Sequence, residues 1–113
     1  MPIPTTPLAG AAISFLLTLG SAAAAEPDLE AGRKIFTETS EPACAICHAL
    51  ADAEAVGEVG PNLDQLKPTL EQVRAAVTSG IGVMPAFSET MSEEEIETVS
   101  QYVAAVVKDP GKE

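Results

Sequence analysis

The chain of 113 residues is poor in the residue types that most metal, nucleophile and nucleic-acid chemistry draws on. Histidine occurs once, cysteine twice and tryptophan not at all, while lysine and arginine together number six against seventeen aspartates and glutamates. One histidine and two cysteines fall short of the four ligands of a structural zinc site. Cys44 and Cys47 could close only a tiny disulfide loop of little energetic value. No strand–helix–strand pattern surrounds them, which removes the setting of a thioredoxin-like dithiol. The shortage of basic side chains leaves a formal net charge of −11. Such a surface repels nucleic acid and anionic lipid and favours a partner with a basic face. Beyond residue 25 there is no internal repeat or low-complexity tract, and strand signals are weak throughout, so the expected fold class is all-α.

Charged side chains are absent from the first 25 positions, where only the terminal amine is positive. There an apolar stretch from Leu8 to Leu19 gives way to small residues ending in Ala23-Ala24-Ala25. This arrangement predicts a secretory signal over residues 1–25, cut before Glu26. The first seven residues depart from the usual pattern, with three prolines and no Lys or Arg. The apolar run is shorter than the roughly 20 residues that span a bilayer, so no membrane insertion is expected after cleavage. Residues 26–113 then make one small domain, whose core is marginal unless something apolar fills it.

What the chain does hold is Cys44-Ala45-Ile46-Cys47-His48. Residues three and four apart share one face of a helical turn. Both sulfurs can therefore reach the vinyl edges of one porphyrin while the imidazole of His48 points at the iron. C-x-x-C-H predicts one haem c, held covalently through Cys44 and Cys47 and ligated by His48. A buried porphyrin also supplies the missing apolar centre. Attachment of haem to thiols outside the cytoplasm agrees with an exported, periplasmic protein.

Helical signals frame this motif. Asp28 is placed to cap a first helix with Leu29, Gly32 and Phe36 on one face. Gly32 costs helix stability and so suggests close approach by another element. From Ala49 to Pro68 the pattern is irregular, as expected of chain wrapped around a ligand. Thr69 caps a further helix with Leu70, Val73 and Val77 inward and Gly80 as its stop. Ser92 and Glu95 form a capping box before a last helix with Ile96, Val99, Val103 and Val106 buried, ended by Asp109-Pro110-Gly111. Acids from Glu93 to Glu97 complement that helix's dipole, or form a docking patch.

Iron bound by one histidine leaves an axial position whose occupant decides the chemistry. With no second histidine, bis-His ligation within the chain is excluded. Met84 lies between Gly80-Ile81-Gly82-Val83 and Pro85, on a loop whose glycines permit close backbone approach, and is the favoured ligand. Met91 immediately precedes the capped helix and is expected to pack in the core. An open or water-bound position is the remaining alternative.

Taken together, the first helix with Gly32 and Phe36, the Cys44–His48 motif, Gly60-Pro61-Asn62-Leu63, Met84-Pro85 and the last helix with Tyr102 resemble the class I c-type cytochromes. The resemblance covers essentially all of residues 26–113. It implies a small monohaem electron carrier rather than an enzyme, with several short helices wrapped around the haem. It further implies that the Pro61 carbonyl accepts the other imidazole proton of His48, and that Leu63 packs on the haem. Gly32 and Phe36 would cross Val99 and Tyr102. The cofactor residues implied are thus Cys44, Cys47, His48, Pro61, Leu63 and Met84, with His48 and Met84 on the metal. Ala45, Ile46, Val83, Pro85 and Ala86 would frame an exposed haem edge.

Ala43–Pro68 and Gly82–Phe87 are also similar to small cytochromes that take electrons from molybdenum-containing sulfite dehydrogenases. That resemblance implies such an enzyme as donor, with a terminal oxidase or another cytochrome as acceptor. A fixed haem subunit of a periplasmic dehydrogenase shares the same chemistry. A five-coordinate haem enzyme or gas-binding protein fits less well, because four-helix cytochromes of that kind carry the motif near the C-terminus. A non-haem dithiol module is the remaining rival.

Overall fold

The computed structural model describes residues 1–7, 9–15 and 26–108. Much of the expected leader, including Ala23-Ala24-Ala25, and the expected stop Asp109-Pro110-Gly111 lie outside the described residues. Helix α1 (Leu29–Lys34) starts at Asp28, whose side chain accepts from the Ala31 N–H at 3.0 Å. The helix continues as a wider π-type turn over Ile35–Thr39, closed by Ser40 N–H donating to Ile35 O at 3.1 Å. Hydroxyls support the widening: Thr37 donates to Arg33 O at 2.9 Å and Ser40 to Ile35 O at 3.0 Å. Gly32 and Phe36 are buried as expected, whereas Leu29 is exposed in the first turn, ahead of the packed part of the helix.

Helix α2 (Cys44–Cys47) is a single turn. It leads into a hairpin of β1 (Ala49–Leu50) and β2 (Ala55–Val56), antiparallel with Ala49 opposite Val56 and Leu50 opposite Ala55. A 3₁₀ turn over Ala51–Ala53 joins the two strands. Helix α3 (Leu63–Leu66) is capped by Asn62, which accepts from Asp64 N at 3.0 Å and Gln65 N at 3.3 Å. The mostly helical fold therefore contains two short strands, and the stretch expected to be irregular holds small regular pieces. Strands of two residues are too brief to show alternation, and one helical turn is too brief to show a 3.6-residue period.

Helix α4 (Leu70–Ser79) carries a full capping box: Thr69 Oγ1 accepts from Gln72 N at 3.2 Å, and Gln72 Oε1 accepts from Thr69 N at 3.0 Å. Val73 and Val77 are buried and Leu70 is half-buried. Helix α5 (Glu93–Lys108) follows Ser92, whose hydroxyl accepts from Glu95 N at 3.1 Å. Glu95 itself stands with Glu93 and Glu94 as first-turn carboxylates on the positive end of the helix dipole.

The core forms where α5 packs against both α1 and α4. At the first crossing Gly32 lies so close to Tyr102 that a Cβ on it would overlap the Tyr102 Cβ and fall 2.8 Å from its Cγ. Phe36 meets the Tyr102 ring edge-on, centroids 6.2 Å apart at 70°. Ile96, Val99 and Val103 are buried as expected. Val106 is only half-buried and Val107 takes the inner place, because two neighbouring helices widen the buried arc to include Ser100, Tyr102 and Ala104.

Candidate functional site

Ser40, at the end of the π-type turn, sets the entry to α2. Its hydroxyl accepts from Cys44 N at 3.2 Å and lies 3.4 Å from Cys44 Sγ. Cys44 and Cys47 are free thiols on that one turn. Burial pushes the Cys44 thiol pKa up, partly offset by the hydrogen bond to Ser40. The turn closes with His48 N–H donating to Cys44 O at 2.9 Å, so the imidazole follows the two sulfurs directly.

His48 is held from several sides. Its Nδ1 lies 2.8 Å from Pro61 O. A carbonyl can only accept, so Nδ1 carries the proton and Nε2 keeps its lone pair free. Gly57 backs onto the preceding peptide: a Cβ there would fall 2.6 Å from Cys47 C and from His48 N. Gly60 backs onto the ring, where a Cβ would fall 2.6 Å from His48 Cε1, and its N–H donates to Cys47 O at 2.7 Å. The segment from the hairpin to Pro61 thus forms a cradle that only glycine backbone can make at these two points.

The two candidate sulfurs occupy different settings. Met84 closes a tight turn in which Ile81 N donates to Met84 O at 3.1 Å and Met84 N to Ile81 O at 2.9 Å. Gly82, inside the turn, has the positive φ of 57° that it requires, and Gly80, which ends α4 just before it, has a φ of 72°. The Met84 side chain is half-buried against the core. Met91 is buried within the core cluster, anchored by its N–H to Phe87 O at 2.8 Å. Leu63 is buried, while Ile46, Val56, Val59, Ile81 and Val83 remain exposed on the segments flanking the site.

Sequence patterns did not point to Ser40, Gly57, Asp52 or Asp64. Ser40 reaches Cys44 N from four residues back, outside the N-cap position held by Ala43, so no capping pattern marks it. Asp52 and Asp64 carry no signal either, because their partners are distant in the chain. Asp64 Oδ2 accepts from Ala51 N at 2.7 Å, and Asp52 Oδ2 accepts from Tyr102 Oη at 2.6 Å and from Arg33 Nη2 at 2.8 Å.

Among the described residues no group of three or more His, Cys, Asp and Glu could hold a bare metal ion. Two unpaired thiols on one turn, an imidazole fixed with Nε2 free and a cradle shaped by glycine fit a covalently attached haem.

These features define a c-type cytochrome, and comparison with known proteins agrees. Residues 27–103 match the family described as cytochrome c oxidase, cbb3-type, subunit III. The chain is 33% identical over 106 residues to the chloroplastic cytochrome c6 of Chlamydomonas reinhardtii, covering 88% of this chain and 69% of that protein. It is 36% identical over 80 residues to cytochrome c6 of Leptolyngbya boryana, covering 67% and 89% respectively. The crystal structure of the c-type cytochrome SorU from Sinorhizobium meliloti superposes with a TM-score of 0.67 at 64% identity, over 70% of this chain and 90% of that one.

The chain belongs to the cytochrome c family. It is an electron carrier rather than an enzyme, and it carries covalently bound haem c, with Cys44 and Cys47 positioned as the attachment pair. No helix among the described residues is long and apolar enough to cross a membrane.

Proposed function

We propose that this cytochrome is a periplasmic single-electron shuttle whose haem is ligated by His48 and Met84, and that its donor is a molybdenum-containing sulfite dehydrogenase. The observation that carries the ligand reading is the 2.8 Å contact from His48 Nδ1 to Pro61 O, which leaves Nε2 as the one ring nitrogen free for iron. Haem c, when bound, supplies a one-electron Fe(III)/Fe(II) couple. The chain's own residues do the rest. Cys44 and Cys47 tether the group, the Pro61 carbonyl orients the imidazole, and Met84 brings a thioether that favours the ferrous state. His48 and Met84 would together hold the iron and leave no site for oxygen, peroxide or substrate.

Support for the donor comes from the similarity of Ala43–Pro68 and Gly82–Phe87 to small cytochromes served by sulfite dehydrogenases. Support for the location comes from the leader expected over residues 1–25. Ile46 and Val83 are both exposed and, with Ala45, Pro85 and Ala86, would frame an exposed haem edge. The electron would pass on to another cytochrome or a terminal oxidase.

Replacing the sulfurs one at a time tests the ligand assignment. Met84→Ala is expected to retain covalent haem, lose the weak long-wavelength ferric absorption that marks sulfur ligation, and lower the potential. Met91→Ala is expected to keep that absorption and lose about 2–5 kcal/mol of stability through a core cavity. The opposite pattern would reassign the ligand. A sulfite dehydrogenase that turns over sulfite yet leaves this cytochrome oxidised would remove the proposed donor.

A further inference from the structure

Asp52 sits at the tip of the β1–β2 hairpin, outside the haem motif and with no part in the chemistry derived above. Its carboxylate nevertheless joins three distant parts of the chain. Tyr102, fully buried where α5 crosses α1, donates its hydroxyl to Asp52 Oδ2 at 2.6 Å. Arg33 on α1 donates to the same oxygen from Nη2 at 2.8 Å and from Nε at 3.2 Å. The guanidinium also reaches the Asp52 carbonyl at 3.3 Å and stands 5.8 Å from the Tyr102 ring centroid. Hydrogen bonds to an ionised acceptor are the stronger kind, and the 2.6 Å from Tyr102 Oη falls within their range of about 2.5–2.7 Å.

The hairpin fixed at its tip in this way is the one that surrounds His48. β1 begins at Ala49, the next residue, and β2 runs into Gly57, which packs on the Cys47–His48 peptide. Gly60 continues the contact on the ring, and Pro61 supplies the carbonyl at 2.8 Å from Nδ1. Movement of the tip away from the helix crossing would therefore be felt along the segment that orients the imidazole.

We propose that Asp52 is a positioning residue for His48: by tying the hairpin tip to Tyr102 and Arg33 at the α1–α5 crossing, it fixes the Gly57–Pro61 cradle and the hydrogen bond to Nδ1. The proposal deepens the reading of His48 as the iron ligand and rests on it. A firm Nδ1–H bond raises the basicity of the ligand and stabilises ferric iron. Loosening it shifts the potential upward. Removing a nearby negative charge shifts it in the same direction, so the variants must separate position from charge.

Three variants of the haem-loaded protein make that separation: Tyr102→Phe keeps the charge and breaks the tie to α5 while leaving that to Arg33, Asp52→Asn keeps an acceptor for Tyr102 and removes the charge, and Asp52→Ala removes both. The readouts are the NMR resonance of His48 Nδ1–H, amide exchange at Gly60 and the reduction potential. Tyr102→Phe and Asp52→Ala should each move the His48 resonance, raise the potential and speed Gly60 exchange about tenfold, with Asp52→Asn clearly milder. Equal shifts in the two Asp52 variants with none in Tyr102→Phe would take Tyr102 out of the tie and overturn the proposal. So would a lowered melting temperature with the His48 resonance and Gly60 exchange unmoved. A wild-type protein lacking an iron-shifted His48 resonance would fail the ligand reading itself, and the proposal with it, before any variant is compared.

Discussion

At Gly32 two effects of a single methyl group compete. Alanine is the better helix former by about 1 kcal/mol. A Cβ there, however, would overlap the Tyr102 Cβ and lie 3.1 Å from Thr98 O, and backbone cannot swing aside. Overpacking of this kind costs typically 1–3 kcal/mol and outweighs the propensity gain. Gly32→Ala should therefore lower the denaturation midpoint, followed by loss of helical circular dichroism, and a rise would contradict the crossing. The close approach was legible because a glycine inside a helical pattern demands a reason. The Asp52 contacts were not, since Arg33 lies 19 residues away in the chain and Tyr102 lies 50, and a carboxylate on a surface turn has no sequence signature. Leu29 shows the reverse case: its spacing fits the buried face, yet the first turn projects beyond the core.

Among the elements, α4 and α5 are clasped by Arg74, whose Nε and Nη2 reach Glu97 at 2.6 and 2.8 Å. Gln101 donates to the same carboxylate at 2.9 Å. The Arg74 hydrogen bond, then that of Gln101, holds the Glu97 pKa down to about 2, against about 4.5 for an ordinary glutamate. A depressed carboxylate stabilises the fold above the unfolded value and loses that contribution as pH falls through the folded one. The clasp should thus weaken between about pH 4.5 and pH 2. Both side chains are more than a third exposed, so water and salt leave the effect small. Denaturation midpoints measured against pH should show a shallower acid decline for Glu97→Gln than for the wild type. An identical decline would place the acid sensitivity elsewhere. The long helices were legible from caps and periodic valines, α5 above all. The hairpin and α3 escaped because two-residue strands and a single helical turn are too short to show a period. The full capping box falls at Thr69 and Gln72, where the sequence reading took only the threonine.

For the molecule as a whole, the charge of −11 sets the terms of encounter. Raising ionic strength from about 0.01 to 0.15 M shortens the screening length from roughly 30 to 8 Å. Reduction by a basic-faced donor should slow by about an order of magnitude across that range, read by stopped-flow absorbance of the haem. A rate indifferent to salt would rule out electrostatic steering. The chain also contains one tyrosine and no tryptophan, so Tyr102 is its only phenol. Burial, then the bond to Asp52, pushes that phenol's pKa above its ordinary value of about 10. Because the proton is retained in the folded form and lost in the unfolded one, alkali above about pH 10 favours unfolding. Ultraviolet absorbance of phenolate should accordingly stay silent until the α1–α5 crossing opens and then appear together with loss of structure. The cytochrome carries its own optical alarm, a single phenol wired to the joint on which the fold depends.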